Sequence, residues 1–279
     1  MSLKWVKRGT ETTVEQVVER NACINKANLS TVYKTPIKNL DILANELIKI
    51  KNEGKTVTVF ADYDCDGICS AVNMYLILKY LRIQFKTMFP HRKTGYGLQA
   101  FNVEDIDTDY IITIDNGIAA FDGIKAAKDK GIKVLIIDHH LKPEEGLPDA
   151  DIIVDLHVFK NDPDDFEDWC GAGLSYELSR YICNGLVQNI CLQFAAIATV
   201  ADVVPLRKDN RQIVKNGLYE LNHTKITALQ KFINAIKGSS YSMVIDETTI
   251  GFKIAPIINA MGRVEDDAEF VFKYFLTDD

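Results

Sequence analysis

An α/β fold is predicted for this 279-residue chain: a mostly parallel sheet flanked by helices, followed by a helical half. Three observations predict it. Short apolar, β-branched runs recur through the first part, of the kind found in strands buried on both faces. They alternate with helical periods, and that strand-helix-strand rhythm requires a parallel sheet with right-handed crossovers. From about 171 onward the pattern is helices only.

Taken in order, residues 1–35 are polar with scattered apolar positions and are expected to form an arm or cap on the main domain. Leu40, Ile42, Leu43, Leu47 and Ile48 approximate the helical period, predicting a helix over 38–53 that Gly54 ends. The first strand is expected over 55–61. Ile68, Val72, Tyr75, Leu76, Leu78 and Leu81 mark the inward face of a helix over 68–82, and a short strand follows at 84–89. His91-Arg92-Lys93-Thr94-Gly95-Tyr96-Gly97 reads as a loop with glycines at its flexible positions. Next come a strand over 109–115, a helix over 119–130 with Gly131 as its C-cap, and a strand over 132–138. Ile152-Ile153-Val154 is a further short strand before a Pro/Asp-rich loop at 161–168. Helices are expected at 172–184, 189–201, 211–222, 225–237, 247–254 and 265–277. The expected organisation is an N-terminal arm and helix (1–54), an α/β domain (55–170) and a helical part of the same core (171–279).

Composition narrows the class. The apolar fraction of 47% and charged fraction of 25% are those of an ordinary soluble globular protein. No apolar run is long enough to span a bilayer, and a signal-peptide pattern is not seen, so a cytoplasmic location is expected. The six cysteines (Cys23, Cys65, Cys69, Cys170, Cys183, Cys191) form no Cys-x-x-Cys pair and read as small core residues of a reduced protein. A net charge of −7 argues against a protein that coats nucleic acid, but not against a nuclease whose acids hold cations.

The chemistry lies where strands end. Val57-Thr58-Val59-Phe60-Ala61 runs into Asp62-Tyr63-Asp64-Cys65-Asp66-Gly67. Ile111-Ile112-Thr113-Ile114 runs into Asp115, and Val134-Leu135-Ile136-Ile137 into Asp138-His139-His140. An open α/β sheet gathers its ligands at the carboxyl ends of its strands. Five Asp and two His therefore converge on one edge, and so many like charges require cations. An EF-hand reading of Asp62-x-Asp64-x-Asp66-Gly67 fails, because a strand precedes it and Asn73 stands at the position of the bidentate Glu. A helix N-cap would explain Asp62 or Asp66 alone. Asp115-Asn116-Gly117 also suits a turn, but its place beside two other strand ends points to a ligand. Asp202, inside Ala198-Thr199-Val200-Ala201-Asp202-Val203-Val204-Pro205, must be metal-bound or paired, with Arg207 or Arg211 as the salt-bridge partner. Carboxylates mixed with imidazole favour Mn(II), with Mg(II) or Co(II) as substitutes.

Together these segments resemble the DHH phosphoesterase superfamily, and within it the RecJ-type single-stranded-DNA exonucleases. The matching strings are FADYDCDG (60–67), FPHRKTGYGL (89–98), IDNGI (114–118), IDHH (137–140), ATVADVVPL (198–206) and GFKIAPIINAMGR (251–263), in the family's order. The resemblance implies a 5′-to-3′ exonuclease core, active in DNA repair and recombination, that uses two Mn(II) or Mg(II) ions and releases nucleoside 5′-monophosphates. By motif match Asp64 would hold one ion and Asp66 the other, Asp115 would bridge them, and His139 and Asp202 would complete the coordination of the second ion. Asp62 would lie nearby as a ligand or a support. His140 would face the phosphate. His91, Arg92, Tyr96, Asn259 and Arg263 would contact the substrate, a single strand of DNA rather than RNA, and replication or repair proteins are expected partners. The chain departs from the family at Phe60, where related members carry a ligating His, and at Ile257, where the family usually carries Arg. It stops about where the family's interdomain helix begins, so a fragment or a minimal homologue is expected. Two alternatives remain: a related phosphodiesterase acting on short oligoribonucleotides or cyclic dinucleotides, and a non-catalytic binding module.

Overall fold

Alternation within each strand sets the architecture. In β1 (Thr56–Ala61) Val57, Val59 and Ala61 face one core while Phe60 faces another. In β3 (Tyr110–Ile114) Ile112 and Ile114 face the first core and Ile111 the second, and in β4 (Lys133–Ile137) Leu135 and Ile137 oppose Val134 and Ile136. Both faces are therefore apolar and both must be covered, the condition that parallel sheets meet. With β2 (Gln84–Met88) and β5 (Ile152–Val154) the strands form one five-stranded parallel sheet in the order β2-β1-β3-β4-β5. This order reverses direction between β1 and β3, the switch point at which doubly wound sheets bind ligands. The computed structural model describes residues 13, 16, 34–90, 95, 97–163, 165–238, 242–264 and 268–277, leaving aside the side chains of 262–264. The expected N-terminal arm lies almost entirely outside the described residues, as does Cys23.

The larger core gathers α1 (Leu40–Glu53), α2 (Cys65–Leu81) and the helices of the second half against one sheet face. The smaller lies under α3 (Ala100–Glu104) and α4 (Phe121–Asp129). The second half comprises α5 (Gly171–Ile182), α6 (Gly185–Ala201), α7 (Lys208–Asn222) and α8 (Thr227–Lys237). A turn at Glu247–Thr249 then runs through a π segment, Ile250–Ile254, into α9 (Ala255–Val264), and α10 (Ala268–Phe275) follows.

Several boundaries differ from expectation. Helix α2 starts at Cys65, three residues early, because Asp64 and not Asp62 or Asp66 caps it. Tyr75 and Leu76 are only half-buried on α2, while Cys69, Met74 and Ile77 are fully buried, since this helix is covered on nearly all sides. Ile42 and Ile48 of α1 face solvent, and Ala44 and Ile50 complete its inner stripe instead. Gly131 takes φ 76° one residue beyond the C-cap, Lys130. Helix α3 and helix α9 were not expected; the first is short and the second carries Pro256, a residue that seldom sits inside helices. The five described cysteines are free and buried.

Candidate metal centre

Parallel register creates the site. Ala61 pairs with Ile114, Ile114 with Ile137, and Ile137 with Val154. The next residue on each of these four strands is an aspartate: Asp62, Asp115, Asp138 and Asp155. The N–H groups of Asp62, Asp115 and Asp138 donate to the last carbonyl of the neighbouring strand at 3.3, 3.0 and 3.0 Å. Four acids thus start side by side along the edge, each about 4.8 Å from the next in backbone spacing. Asn116 ties the switch point together, its Nδ2 donating to the carbonyls of Phe60 and Ile114 at 3.2 and 2.9 Å.

Two more acids come from the turn after β1. The Asp64 Oδ1 accepts the Gly67 N–H at 3.0 Å, which closes the cap of α2. Asp66 points the other way. Its two oxygens accept the N–H groups of Gly171 and Ala172, at 2.6 and 2.8 Å, in the first turn of α5. This acid therefore ties the helical half to the sheet edge. Two glycines allow the close approach: a Cβ on Gly67 would lie 2.2 Å from the Asp62 carbonyl oxygen, and one on Gly171 2.9 Å from the Asp115 Cβ. Asp115 itself has φ 59°, a left-handed conformation that Asp tolerates better than most residues. Such strain concentrates at functional sites.

His139 sits among these acids. Its Nε2 lies 2.9 Å from Asp115 Oδ1 and 3.6 Å from Asp66 Oδ2, and its Nδ1 lies 3.8 Å from Asp202 Oδ2. Asp202, the C-cap of α6, turns to this ring; of the two candidate salt-bridge partners, Arg207 and Arg211, the first pairs with Asp168 at 3.6 Å instead. Two donor sets result, Asp62 with Asp64 and Asp115, and Asp66 with His139 and Asp202, each with ligand atoms within 4.8 Å of one another. The contact between Asp115 and His139 joins them. A third grouping, Asp115 with His139 and His140, competes with the bond between His140 Nδ1 and Asp138 Oδ1 at 2.7 Å.

The electrostatics divide the acids. Burial, reinforced by Asp64, pushes Asp62 up to about 7, and burial with Asp66 raises Asp64. Burial with Asp66 and Asp64 drives Asp115 well above the carboxylate range and lifts Asp202 to about 7. Burial and Asp138 raise Asp155 to about 8. Asp138 is the exception: burial opposes its charge, but the His140 bond and the Ile118 N–H at 2.9 Å outweigh it and its pKa falls. The same bond raises His140 to about 9, whereas burial lowers His139 and leaves that imidazole neutral. Among the described residues no Lys or Arg side chain is ion-paired with Asp62, Asp64, Asp66 or Asp202. Asp62 Oδ1 and Asp155 Oδ2 are buried without a hydrogen-bond partner. Hard oxygens beside a neutral imidazole fit divalent cations such as Mn(II) or Mg(II).

The structure brings Asp62, Asp64, Asp66, Asp115, His139 and Asp202 together, with His140 at the margin, its side chain 46% exposed. Asn259 packs beside them, its Oδ1 accepting the Cys65 N–H at 2.8 Å. Arg263 lies in the last turn of α9, its side chain beyond what is described. His91, Arg92 and Tyr96 lie outside the described residues. Sequence reasoning counted Asp138 among the converging acids but gave it no role of its own; its Oδ1 accepts the backbone N–H groups of His139 and His140 at 2.8 and 3.3 Å and holds the His140 ring through Nδ1 at 2.7 Å. It passed over Asp155, although Ile152-Ile153-Val154-Asp155 carries the same signal as the other three strand ends.

A doubly wound parallel sheet with a carboxylate-imidazole cluster at its switch point defines a class of metal-binding α/β protein. The chain belongs to the DHH family: the model for the DHH family, N-terminal domain, matches residues 56–200. It is similar to the single-stranded-DNA-specific exonuclease RecJ of Bacillus subtilis (strain 168), with 34% identity over 236 residues, 82% of this chain and 29% of that relative. Among solved structures it resembles exonuclease RecJ bound to manganese, with a TM-score of 0.77 and 29% identity over 88% of this chain and 62% of that one. It also resembles RecJ in complex with Mn2+ from Thermus thermophilus, with a TM-score of 0.78 and 26% identity over 94% and 39%. The chain thus spans less than two thirds of the length of each.

Proposed function

We propose that this chain is the catalytic core of a metal-dependent 5′-to-3′ single-stranded-DNA exonuclease that releases nucleoside 5′-monophosphates. The observation that carries this is the joined pair of donor sets at the switch point, in a chain similar to named exonucleases. Manganese or magnesium, which solved relatives hold, would be bound here by Asp62, Asp64 and Asp115 on one side and Asp66, His139 and Asp202 on the other. Asp115 would serve both. Two such cations supply a water of lowered pKa and neutralise charge developing on the phosphate.

The chain's own residues do the rest. Neutral His139 offers a ring nitrogen without first losing a proton. His140, held as a cation by Asp138, brings a positive charge and an N–H beside the cluster, suited to a phosphate oxygen. The N-termini of α2 and α5 converge on Asp64 and Asp66, so their dipoles favour negative charge there. His91, Arg92, Tyr96, Asn259 and Arg263 are the proposed strand contacts, on motif match. No helix among the described residues is long and apolar enough to cross a membrane, and we assign the protein to the cytoplasm.

The test is hydrolysis of a 5′-phosphorylated single-stranded DNA oligomer by this chain with Mn(II), followed on a gel. Stepwise release from the 5′ end, absent in Asp115→Ala and in chelator, is expected. An intact oligomer alongside cleaved di- and trinucleotides would transfer the reading to short oligonucleotides.

A further inference from the structure

Helix α6 ends at Ala201, Asp202 is its C-cap, and Val203 follows with φ 58°. That left-handed position after a helix usually belongs to Gly, with Asn next, because a Cβ crowds the backbone there. A β-branched residue in this conformation is an outlier and carries strain. Burial of the side chain could offset the strain, but Val203 is 85% exposed. Its N–H reaches the Val200 carbonyl at 3.3 Å, a bond that Gly would make equally well. The isolated fold therefore gains nothing from valine at this position.

A second exposed aliphatic side chain belongs to the other segment that reaches the cluster. Leu141, 76% exposed, directly follows His139-His140. The His139 ring lies 3.8 Å from Asp202, so Leu141 and Val203 belong to the two chain segments that meet at the cluster. Both lie at the margin of a site that is otherwise charged, and neither can donate or accept a hydrogen bond through its side chain.

We propose that Val203, together with Leu141, forms an apolar lip that receives the nucleobase of the nucleotide being removed. The inference rests on the exonuclease reading and adds how the end of the strand is held. In this arrangement a phosphate held at the cluster would leave its sugar and base at this margin. The faces of a base are poorly hydrated, and an aliphatic pair shields them without reading a hydrogen-bonding edge. Sequence-tolerant contacts of that kind suit a strand digested whatever its sequence.

The experiment compares kcat/KM for 5′-phosphorylated single strands whose first nucleotide either carries a base or is abasic, with Mn(II). Wild-type protein is expected to cut the base-bearing end about fivefold faster, as one modest apolar burial allows. Val203→Gly and Val203→Asn, both suited to the left-handed backbone, are expected to bring that ratio close to one, with a melting temperature equal to or above wild type. A ratio unchanged in both variants overturns the lip and leaves the exonuclease standing. An equal loss on both substrates marks a structural role and also overturns it. If wild-type protein cuts neither strand, the exonuclease reading falls and the lip falls with it.

Discussion

Two aspartates flank strand β3, and their surroundings are opposite. Asp109, just before the strand, accepts from Lys55 Nζ at 2.9 Å and from the Thr56 N–H and hydroxyl at 2.8 and 2.9 Å. The Lys55 bond, first among these, holds its carboxyl down at about 2. Asp115, just after the strand, is buried among Asp66, Asp64 and Asp62 and is driven well above the usual range. The pattern extends along both edges of the sheet. At the amino end Asp151 pairs with Lys128 at 2.9 Å and Asp107 with Lys86 at 2.7 Å. At the carboxyl end Asp62 and Asp155 each keep a buried oxygen without a partner. An acid whose charge a nearby Lys balances serves the fold, whereas Asp62 and Asp155, each with a buried oxygen that no hydrogen bond reaches, are held for something the fold does not contain.

The largest expected effect breaks the carboxyl end. Asp115→Asn should lower metal-dependent hydrolysis by at least about a thousandfold, because several kcal/mol of transition-state charge stabilisation depend on the cations it holds. The same change should raise the melting temperature of metal-free protein, because it removes an acid that ionises freely in the unfolded chain but is kept from ionising in the fold by burial and like charges. A fall in that temperature would contradict the contrast between the two edges. Asp138→Asn should cost about 10-fold in activity, because it removes the partner that holds His140 charged beside the phosphate. It should also bring His140 down from about 9, observable by NMR titration. Because His140 is raised above its unfolded value, its bond stabilises the fold fully below about pH 6.5 and is lost as pH rises through about 9. An unmoved His140 titration would sink the pairing.

At the amino end, Asp109→Asn should leave hydrolysis unchanged and cost about 1 kcal/mol in stability, measured by urea unfolding. The Asp109 carboxyl is depressed, so its contribution is present above about pH 4 and lost as pH falls through about 2. A large loss of activity in this variant would erase the distinction between the two edges. The smallest effect is a proton count. With Asp62 and Asp202 near 7 and Asp115 well above the carboxylate range in metal-free protein, Mn(II) binding at pH 7 should release at least about one proton, since ligands must ionise to bind. Calorimetry in two buffers of different ionisation enthalpy reads this directly, and zero release would mean that the acids are already charged.

Much of this site was legible in the chain. Runs such as Ile111-Ile112-Thr113-Ile114 can only be buried strands, and a buried strand that stops at an acid marks the sheet's chemical edge. The same rule applied to Ile152-Ile153-Val154-Asp155, but a three-residue strand is a faint signal and the acid after it was passed over. The start of α2 was misplaced because the cap was weighed for Asp62 or Asp66, and local pattern does not say that the Gly67 N–H reaches Asp64 instead. Asp202 illustrates the opposite case. Its burial in an apolar run demanded a partner, yet whether that partner was Arg207 or His139 depended on where α6 ends in space.

Sequence alone determined the alternation of strands and helices, the apolar faces of the sheet, and which residue types stand at strand ends, because these follow from what each residue needs among its near neighbours in the chain. Only the tertiary structure decided that β3 lies between β1 and β4, that one register aligns Asp62, Asp115, Asp138 and Asp155, and that the first turn of α5 closes on Asp66. Those pairings join segments far apart in the chain. They are set by packing two cores against one twisted sheet, a constraint that no local period records.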